Sequence, residues 1–157
     1  MSTKRAIKFF TKNDEYFELS NFYPQGFEED GVYWSSIEHY FQAMKFVGEE
    51  NANHRERIRK AHSPKQAKAL GHSRKHTLRS DWESAKEGIM LDALRRKFAH
   101  PKLSALLVST GKRRLEENSP YDRYWGVGRD GRGKNRLGVL LMQVRKELGE
   151  KSSSSLS

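Results

Sequence analysis

The spacing of apolar positions changes at Trp34. Before it, Ile7 to Phe10 reads as a short strand, and Gly26 to Trp34 reads as one or two more around Asp30-Gly31, a dipeptide suited to the tight turn of a hairpin. After it, Ile37, Tyr40, Phe41 and Met44 recur at i, i+3, i+4 and i+7, one stripe of a helix that opens at Ser35 and has Ser36 as an alternative cap. Helical spacing then carries most of the chain. Segments are predicted from about Asn53 to Ala61, from Ser63-Pro64 to Gly71, from Asp81 to about Phe98, from Pro101 to about Ser109 and from Arg136 to Leu148. The pattern predicts an α+β fold class: one predominantly α-helical domain over residues 1–148 with a small N-terminal β-sheet. Gly149 to Ser157, with four consecutive serines, is low in complexity and is expected to be a disordered tail.

The first helix carries the most chemistry. Glu38, Gln42 and Lys45 lie beside its apolar stripe at i, i+4 and i+7, which lines them up over two turns close to the buried face. Partial desolvation there shifts pKa values. A carboxylate beside a lysine in a partly dry site can move protons. A neutral lysine amine is a nucleophile toward an aldehyde-like carbon, such as the anomeric carbon of an opened ribosylamine. The plainer alternatives are Glu38 as the third residue after a Ser35 cap, in a capping box, and a surface Glu–Lys pair contributing about 0.3–0.5 kcal/mol.

At 157 residues the chain has a single-domain length, and its apolar share of 35% against a charged share of 32% predicts amphipathic helices with solvated outer faces. There is no cysteine, which rules out disulfides, thiol nucleophiles and cysteine-ligated zinc. The six histidines form no His-Glu-x-x-His pattern, His72 and His76 lack an obvious third ligand, and no Gly-x-Ser-x-Gly elbow occurs. Neither a metal, a cofactor nor serine-hydrolase chemistry is expected. No apolar run is long enough to span a membrane and the first residues hold no apolar signal core, so a cytoplasmic protein without a membrane partner is expected. Thirty Lys and Arg against twenty Asp and Glu leave a charge of +10, spread along the chain, which attracts phosphorylated metabolites or nucleic acid.

Five motifs follow one another over roughly Ile7 to Leu148: Leu19-Ser20-Asn21-Phe22; Glu38-His39-Tyr40-Phe41-Gln42 with Lys45-Phe46; Asp81-Trp82-Glu83; Tyr124-Trp125-Gly126-Val127-Gly128; and Gly133-Lys134-Asn135-Arg136-Leu137-Gly138 leading into Val139 to Arg145. In order and spacing the series resembles the YbiA-like family, also called NADAR for its link to NAD and ADP-ribose, with no departure at the motif positions. The resemblance implies a YbiA-like fold and cleavage of N-glycosidic bonds, with Glu38 and Lys45 as catalytic residues. It implies Trp82 and Trp125 as walls on which a heterocyclic base stacks, at about 1–3 kcal/mol per base, and leaves Trp34 to packing. Phe22 and Gln42 join them as substrate-binding candidates. Ser20 and Asn21 form a polar turn that either holds a ribose hydroxyl or closes on itself. The segment Gly126 to Gly138, with Gly126 and Gly128 at its head and four basic residues within it, forms either an anion cradle for phosphate or a flexible loop. Asn135 either caps the last helix or binds sugar hydroxyls.

The expected activity is hydrolysis of the N-glycosidic bond between ribose 5-phosphate and a heterocyclic amine, as family members do on the early ribosylaminopyrimidine phosphate intermediates of riboflavin biosynthesis. The expected partner is a phosphorylated ribosyl small molecule. Two alternatives stay open. One is removal of ADP-ribose from ADP-ribosylated guanine in nucleic acid, which the positive charge favours. The other is a non-catalytic module binding ADP-ribose or a nucleotide, whose mark is loss of Glu38 or Lys45; both residues are present. The oligomeric state is not legible in the sequence.

Overall fold

The computed structural model describes residues 5–155. In chain order its elements are β1 (Ile7–Phe9), β2 (Phe27–Glu29), β3 (Val32–Trp34), α1 (Ile37–Ala43), α2 (Ala52–Arg59), α3 (Pro64–Gly71), α4 (Trp82–Lys97), α5 (Pro101–Ser109), β4 (Leu115–Glu117) and α6 (Arg136–Ser155), with short 3-10 turns at Phe17–Leu19 and Glu49–Asn51. They form two compact units, one of Asn21–Lys97 and one of the chain up to Ser20 together with the chain from Phe98.

In the Asn21–Lys97 unit, β2 and β3 pair antiparallel with Phe27 opposite Trp34 and Glu29 opposite Val32. The two residues between them, Asp30 and Gly31, have φ of 52° and 79°, the paired left-handed conformation that matches the twist of a hairpin. Tyr40 of α1 meets Phe27 and Trp34 edge-on at 5.3 and 5.4 Å, which places Trp34 in packing. α1 packs against α2, α3 and α4, and all seven of its residues are buried. An amphipathic helix was expected; here the polar side is covered as well, so its polar groups must find partners inside the protein. His39 does so with both ring nitrogens, Nδ1 at 2.8 Å from Ser36 Oγ and Nε2 at 2.9 Å from the Ala61 carbonyl. Ser36, not Ser35, caps the helix by accepting from the His39 amide. That shift of one residue makes Glu38 the second helical residue and removes it from a capping box. α3 begins as the Ser-Pro pair predicts, with Ser63 Oγ accepting from the Gln66 amide at 3.0 Å.

In the other unit, β1 pairs in parallel with β4, Ile7 beside Leu115 and Phe9 beside Glu117. The small sheet is therefore not wholly N-terminal: one of the two strand pairs takes its partner from the second half of the chain. Three residues reading Leu-Glu-Glu hold too little alternation to show as a strand beforehand. α6 packs on β4 and α5, burying Leu137, Leu140, Leu141 and Val144. Arg145 fastens it, donating from Nη1 to Thr110 Oγ1 at 2.9 Å and to the Arg113 carbonyl at 2.7 Å. The helix expected to end at Leu148 runs on to Ser155 through Glu150 and Lys151, both good helix formers. Leu156 and Ser157 of the expected tail lie outside the described residues. Among the described residues no helix is long and apolar enough to cross a membrane.

Candidate active site

α1 sets Glu38 and Gln42 one turn apart, 6% and 3% exposed, and Gln42 Nε2 donates to Glu38 Oε2 at 2.6 Å. Asn21 closes over the start of the helix, its carbonyl accepting from the Glu38 amide at 3.2 Å. The Asn21 amide nitrogen faces Met90 Sδ at 3.5 Å, and its Oδ1 is buried with no hydrogen-bond partner among the described residues. Gln42 Oε1 is a second buried acceptor in the same condition. Leaving such a group unpaired costs about 1–3 kcal/mol. Two of them in this unit offer fixed acceptors to a hydroxyl or amine donor from outside the protein.

Lys45 lies just past α1, in a turn closed by its own amide on the Gln42 carbonyl at 3.3 Å. Its amine stands 3.5 Å from the Gly71 carbonyl and 6.0 Å from the centroid of the Trp82 ring. Trp82 in turn packs on Phe41 of α1 at 5.0 Å. Arg79 ties the start of α4 to this turn, its amide donating to the Lys45 carbonyl at 2.8 Å while Asp81 holds its guanidinium at 2.6 and 3.0 Å. Lys45 and Trp82 line a cavity of about 390 Å3 together with Gly71 and the loop after it, which contributes His72, Ser73, Arg74, His76 and Leu78. Pockets for small ligands commonly fall at about 300–1,000 Å3. Burial pushes the Lys45 amine below its ordinary 10.5; the negative charge of Glu38 works against that shift and the positive charge of Lys68 adds to it. Lys68 also stands 6.0 Å from the ring centroid of Phe22. His72 is held below its ordinary value first by burial, then by the charges of Lys45 and Lys68. The arrangement supplies an amine whose pKa burial lowers, a buried carboxylate and a flat indole face. Those are the parts needed to add to a carbonyl-like carbon, move a proton and hold a ring.

Trp125, Gly126, Gly128 and Asn135 belong to the other unit, as does Ser20, which is buried with its amide on the Phe17 carbonyl. Asp122 Oδ1 accepts from the amides of Tyr124 and Trp125 at 2.9 and 2.7 Å, and the Tyr124 and Trp125 rings meet edge-on at 4.9 Å. Gly126 is required by close approach: a Cβ there would fall 2.1 Å from Glu117 Oε2. Five of the amides at the C-terminal end of the segment expected to cradle an anion are spent inside the protein. Those of Gly133, Lys134, Asn135, Arg136 and Leu137 donate to the carbonyls of Val127, Arg123, Gly126, Tyr124 and Trp125, so the first turn of α6 is closed by backbone. Asn135 is wholly buried; its Oδ1 accepts from the Glu117 amide and its Nδ2 donates to the Leu115 carbonyl, both at 2.9 Å. Its side chain clamps the start of α6 to β4 and is not spare for sugar hydroxyls.

Of the residues singled out in the sequence, the structure gathers Glu38, Gln42, Lys45, Trp82, Asn21 and Phe22 in one unit. It adds Gly71 and the His72–Leu78 loop, which were read only as a helix end and a stretch with two histidines. One signal was available: from Ser63 to Ser80 the chain has no acidic residue but five Lys or Arg, with both histidines of the segment, His72 and His76, in its second half. Among the described residues no three His, Cys, Asp or Glu side chains converge as a metal site.

Residues 8–149 match the NADAR domain family. The chain is 46% identical over 143 residues to the N-glycosidase YbiA of Escherichia coli (strain K12), a match covering 90% of this chain and 88% of that one. It is 41% identical over 155 residues to the riboflavin biosynthesis protein PYRR, chloroplastic, of Zea mays, covering 90% of this chain and 25% of the maize protein. The NMR structure of the E. coli protein YbiA resembles it with a TM-score of 0.85 at 43% identity, over 97% of this chain and 89% of that chain. A mostly helical fold with small sheets is common to both.

Proposed function

The chain belongs to the NADAR family, and we propose on that premise that it is an N-glycosidase that separates ribose 5-phosphate from a heterocyclic amine, its substrates being the early ribosylaminopyrimidine phosphates of riboflavin synthesis. Relatives named as an N-glycosidase and as a riboflavin biosynthesis protein support this reading. The observation that carries it is the Lys45 amine, lowered in pKa, in one cavity with the Trp82 indole and within electrostatic reach of Glu38.

The chemistry follows from those groups. A ribosylamine opens when its ring C1–O bond breaks and the ring oxygen takes up a proton, returned when water later releases the lysine, leaving C1 doubly bonded to the protonated base nitrogen. The neutral Lys45 amine adds to C1, and one of its protons passes, by way of Glu38, to the base nitrogen. The C1–N bond to the base then breaks, the free amine departs, and C1 stays bonded to Lys45 as an imine. Water adds to that carbon, the lysine is released, and ribose 5-phosphate leaves in its aldehyde form. One water is consumed and no oxidant or reductant enters. Trp82 stacks on the base, and the acceptors Asn21 Oδ1 and Gln42 Oε1 take sugar hydroxyls or the exocyclic amine.

The test is mass spectrometry of the full chain incubated with a ribosylaminopyrimidine 5-phosphate and an ADP-ribosylated guanine oligonucleotide in one tube, with and without borohydride. Release of free pyrimidine and ribose 5-phosphate, and a reduced pentose adduct on Lys45 alone, are the expected outcomes. Exclusive release of ADP-ribose replaces the substrate, and turnover by a folded Lys45→Ala variant removes the imine.

A further inference from the structure

We infer, resting on the reading of the site just given, that the His72–His76 loop is the subsite for the phosphomonoester of the substrate, with Arg74 and His72 as its main ligands and the Ser73 hydroxyl beside them. The cavity that holds Lys45 is lined by Lys45, His72, Arg74 and His76, and none of its lining residues is acidic. Several other cations of the same unit have carboxylate partners: Arg79 with Asp81, Arg59 with Glu56, Lys86 with Glu83 and Arg96 with Asp92. Arg74 is exposed on the loop and has no hydrogen-bond or ion-pair partner among the described residues. Setting Arg74 beside Lys45 and His72, whose charged forms burial and mutual repulsion already disfavour, with no carboxylate in the lining costs electrostatic energy in the empty protein. A dianion entering the hollow removes that cost and forms charge-assisted bonds, so the arrangement is poised for an anion. His72 already responds to the charges of Lys45 and Lys68, which places the three within one field.

The geometry of the loop is fixed from both ends. α3 delivers His72, whose amide donates to the Lys68 and Ala69 carbonyls, and Arg79 closes the other end on the Lys45 backbone. Ser73 Oγ accepts from the Lys75 amide at 3.2 Å, a turn that holds the segment between them. His76 is steadied by stacking on buried His54 with ring centroids 3.8 Å apart. The rival location is the glycine-rich segment of the other unit, whose amides from Gly133 to Leu137 are taken by carbonyls. A sugar whose C1 meets Lys45 thus has a cationic loop in the same cavity for its far end.

The experiment measures two quantities on the full chain: calorimetric affinity for ribose 5-phosphate against ribose, and kcat/KM for a ribosylaminopyrimidine with and without its 5-phosphate. Arg74→Ala and His72→Gln are each expected to reduce the preference for the phosphorylated compound, read as the ratio of the two kcat/KM values, about tenfold or more, and the double variant further. Inorganic phosphate as competitor separates a general anion site from one that needs the sugar, and either supports the subsite. An unchanged preference in the double variant, or one abolished by Arg132→Ala instead, overturns it. Absence of turnover in the wild type with an Arg74-dependent preference in calorimetry removes the proposed reaction and leaves the subsite standing; turnover with a preference indifferent to Arg74 does the reverse.

Discussion

Gly71 is the position where one added methyl group tests the packing of the whole of α1. A Cβ there would lie 2.0 Å from Gln42 Oε1, 2.7 Å from its Cδ and 2.8 Å from its Cβ, whereas ordinary contact begins at 3.4 Å. Gln42 has little room to yield, because it is 3% exposed and its amide nitrogen is held by Glu38 at 2.6 Å. Helix propensity alone makes alanine better than glycine by about 1 kcal/mol. Against that, overpacking a filled site costs about 1–3 kcal/mol, and losing a hydrogen bond to a charged group costs about 1.5–3 kcal/mol more. The expected net for Gly71→Ala is a destabilisation of roughly 2–5 kcal/mol, read as a fall in Tm of about 5 °C or more for a chain of this size.

Turnover is expected to fall about tenfold or more as well, because the Gln42 amide that orients Glu38 must move and the Gly71 carbonyl that faces the Lys45 amine moves with it. The assay pairs thermal unfolding with turnover for Gly71→Ala, Gln42→Ala and the double variant. In the double variant the obstructing amide is gone, so Tm recovers relative to Gly71→Ala while activity stays low. A Gly71→Ala protein that melts at or above the wild type and turns over at the wild-type rate refutes the placement of Gln42 against Gly71.

Lys45→Ala is expected to abolish turnover while keeping the wild-type Tm within a few degrees, as circular dichroism and a product assay will show. Lys68→Ala removes a positive charge that lowers the Lys45 pKa, so the limb of the pH–rate profile on which Lys45 loses its proton is expected to move to higher pH; movement to lower pH contradicts the assignment. His39 is held below its ordinary 6.5 chiefly by burial, so the unfolded chain binds the extra proton more readily: stability is full above about pH 6.5 and is lost as pH falls toward the folded value. His39→Gln should flatten that decline in Tm between about pH 7 and pH 5. Asn135→Ala strips partners from the Glu117 amide and the Leu115 carbonyl and puts alanine at a φ of 51°, an expected cost of about 2–5 kcal/mol in urea unfolding; a change under about 1 kcal/mol denies the clamp.

What could be read beforehand was local. Asp30-Gly31 announces its turn because few residues accept two positive φ values in succession, and Ser63-Pro64 announces a helix start because cap and ring act within one turn. Glu38, Gln42 and Lys45 were found because helical spacing fixes which side chains share an edge. What the spacing could not carry was the environment of that edge. A stripe of four apolar residues predicts one buried face, yet α1 is enclosed on every side by α2, α3 and α4, a fact that depends on three elements remote in sequence.

The same limit explains the glycine-rich segment. Glycines beside arginines look like free amides waiting for an anion, but whether an amide is free depends on which carbonyl comes to it, and here the carbonyls of residues 123–127 reach the amides of residues 133–137. The basic loop after α3 shows the converse. No motif marks it, since each of its residues is ordinary alone, and its meaning comes from Gly71 bringing the end of α3 against Gln42 so that the loop opens beside Lys45. An acid introduced at its tip is therefore the most direct probe of that placement. Arg74→Glu changes an exposed position by two charges, leaving the core untouched, and should repel a phosphorylated substrate, raising KM far more than it alters kcat. If KM holds and kcat falls instead, the loop acts on the reacting carbon, not on the far end of the sugar.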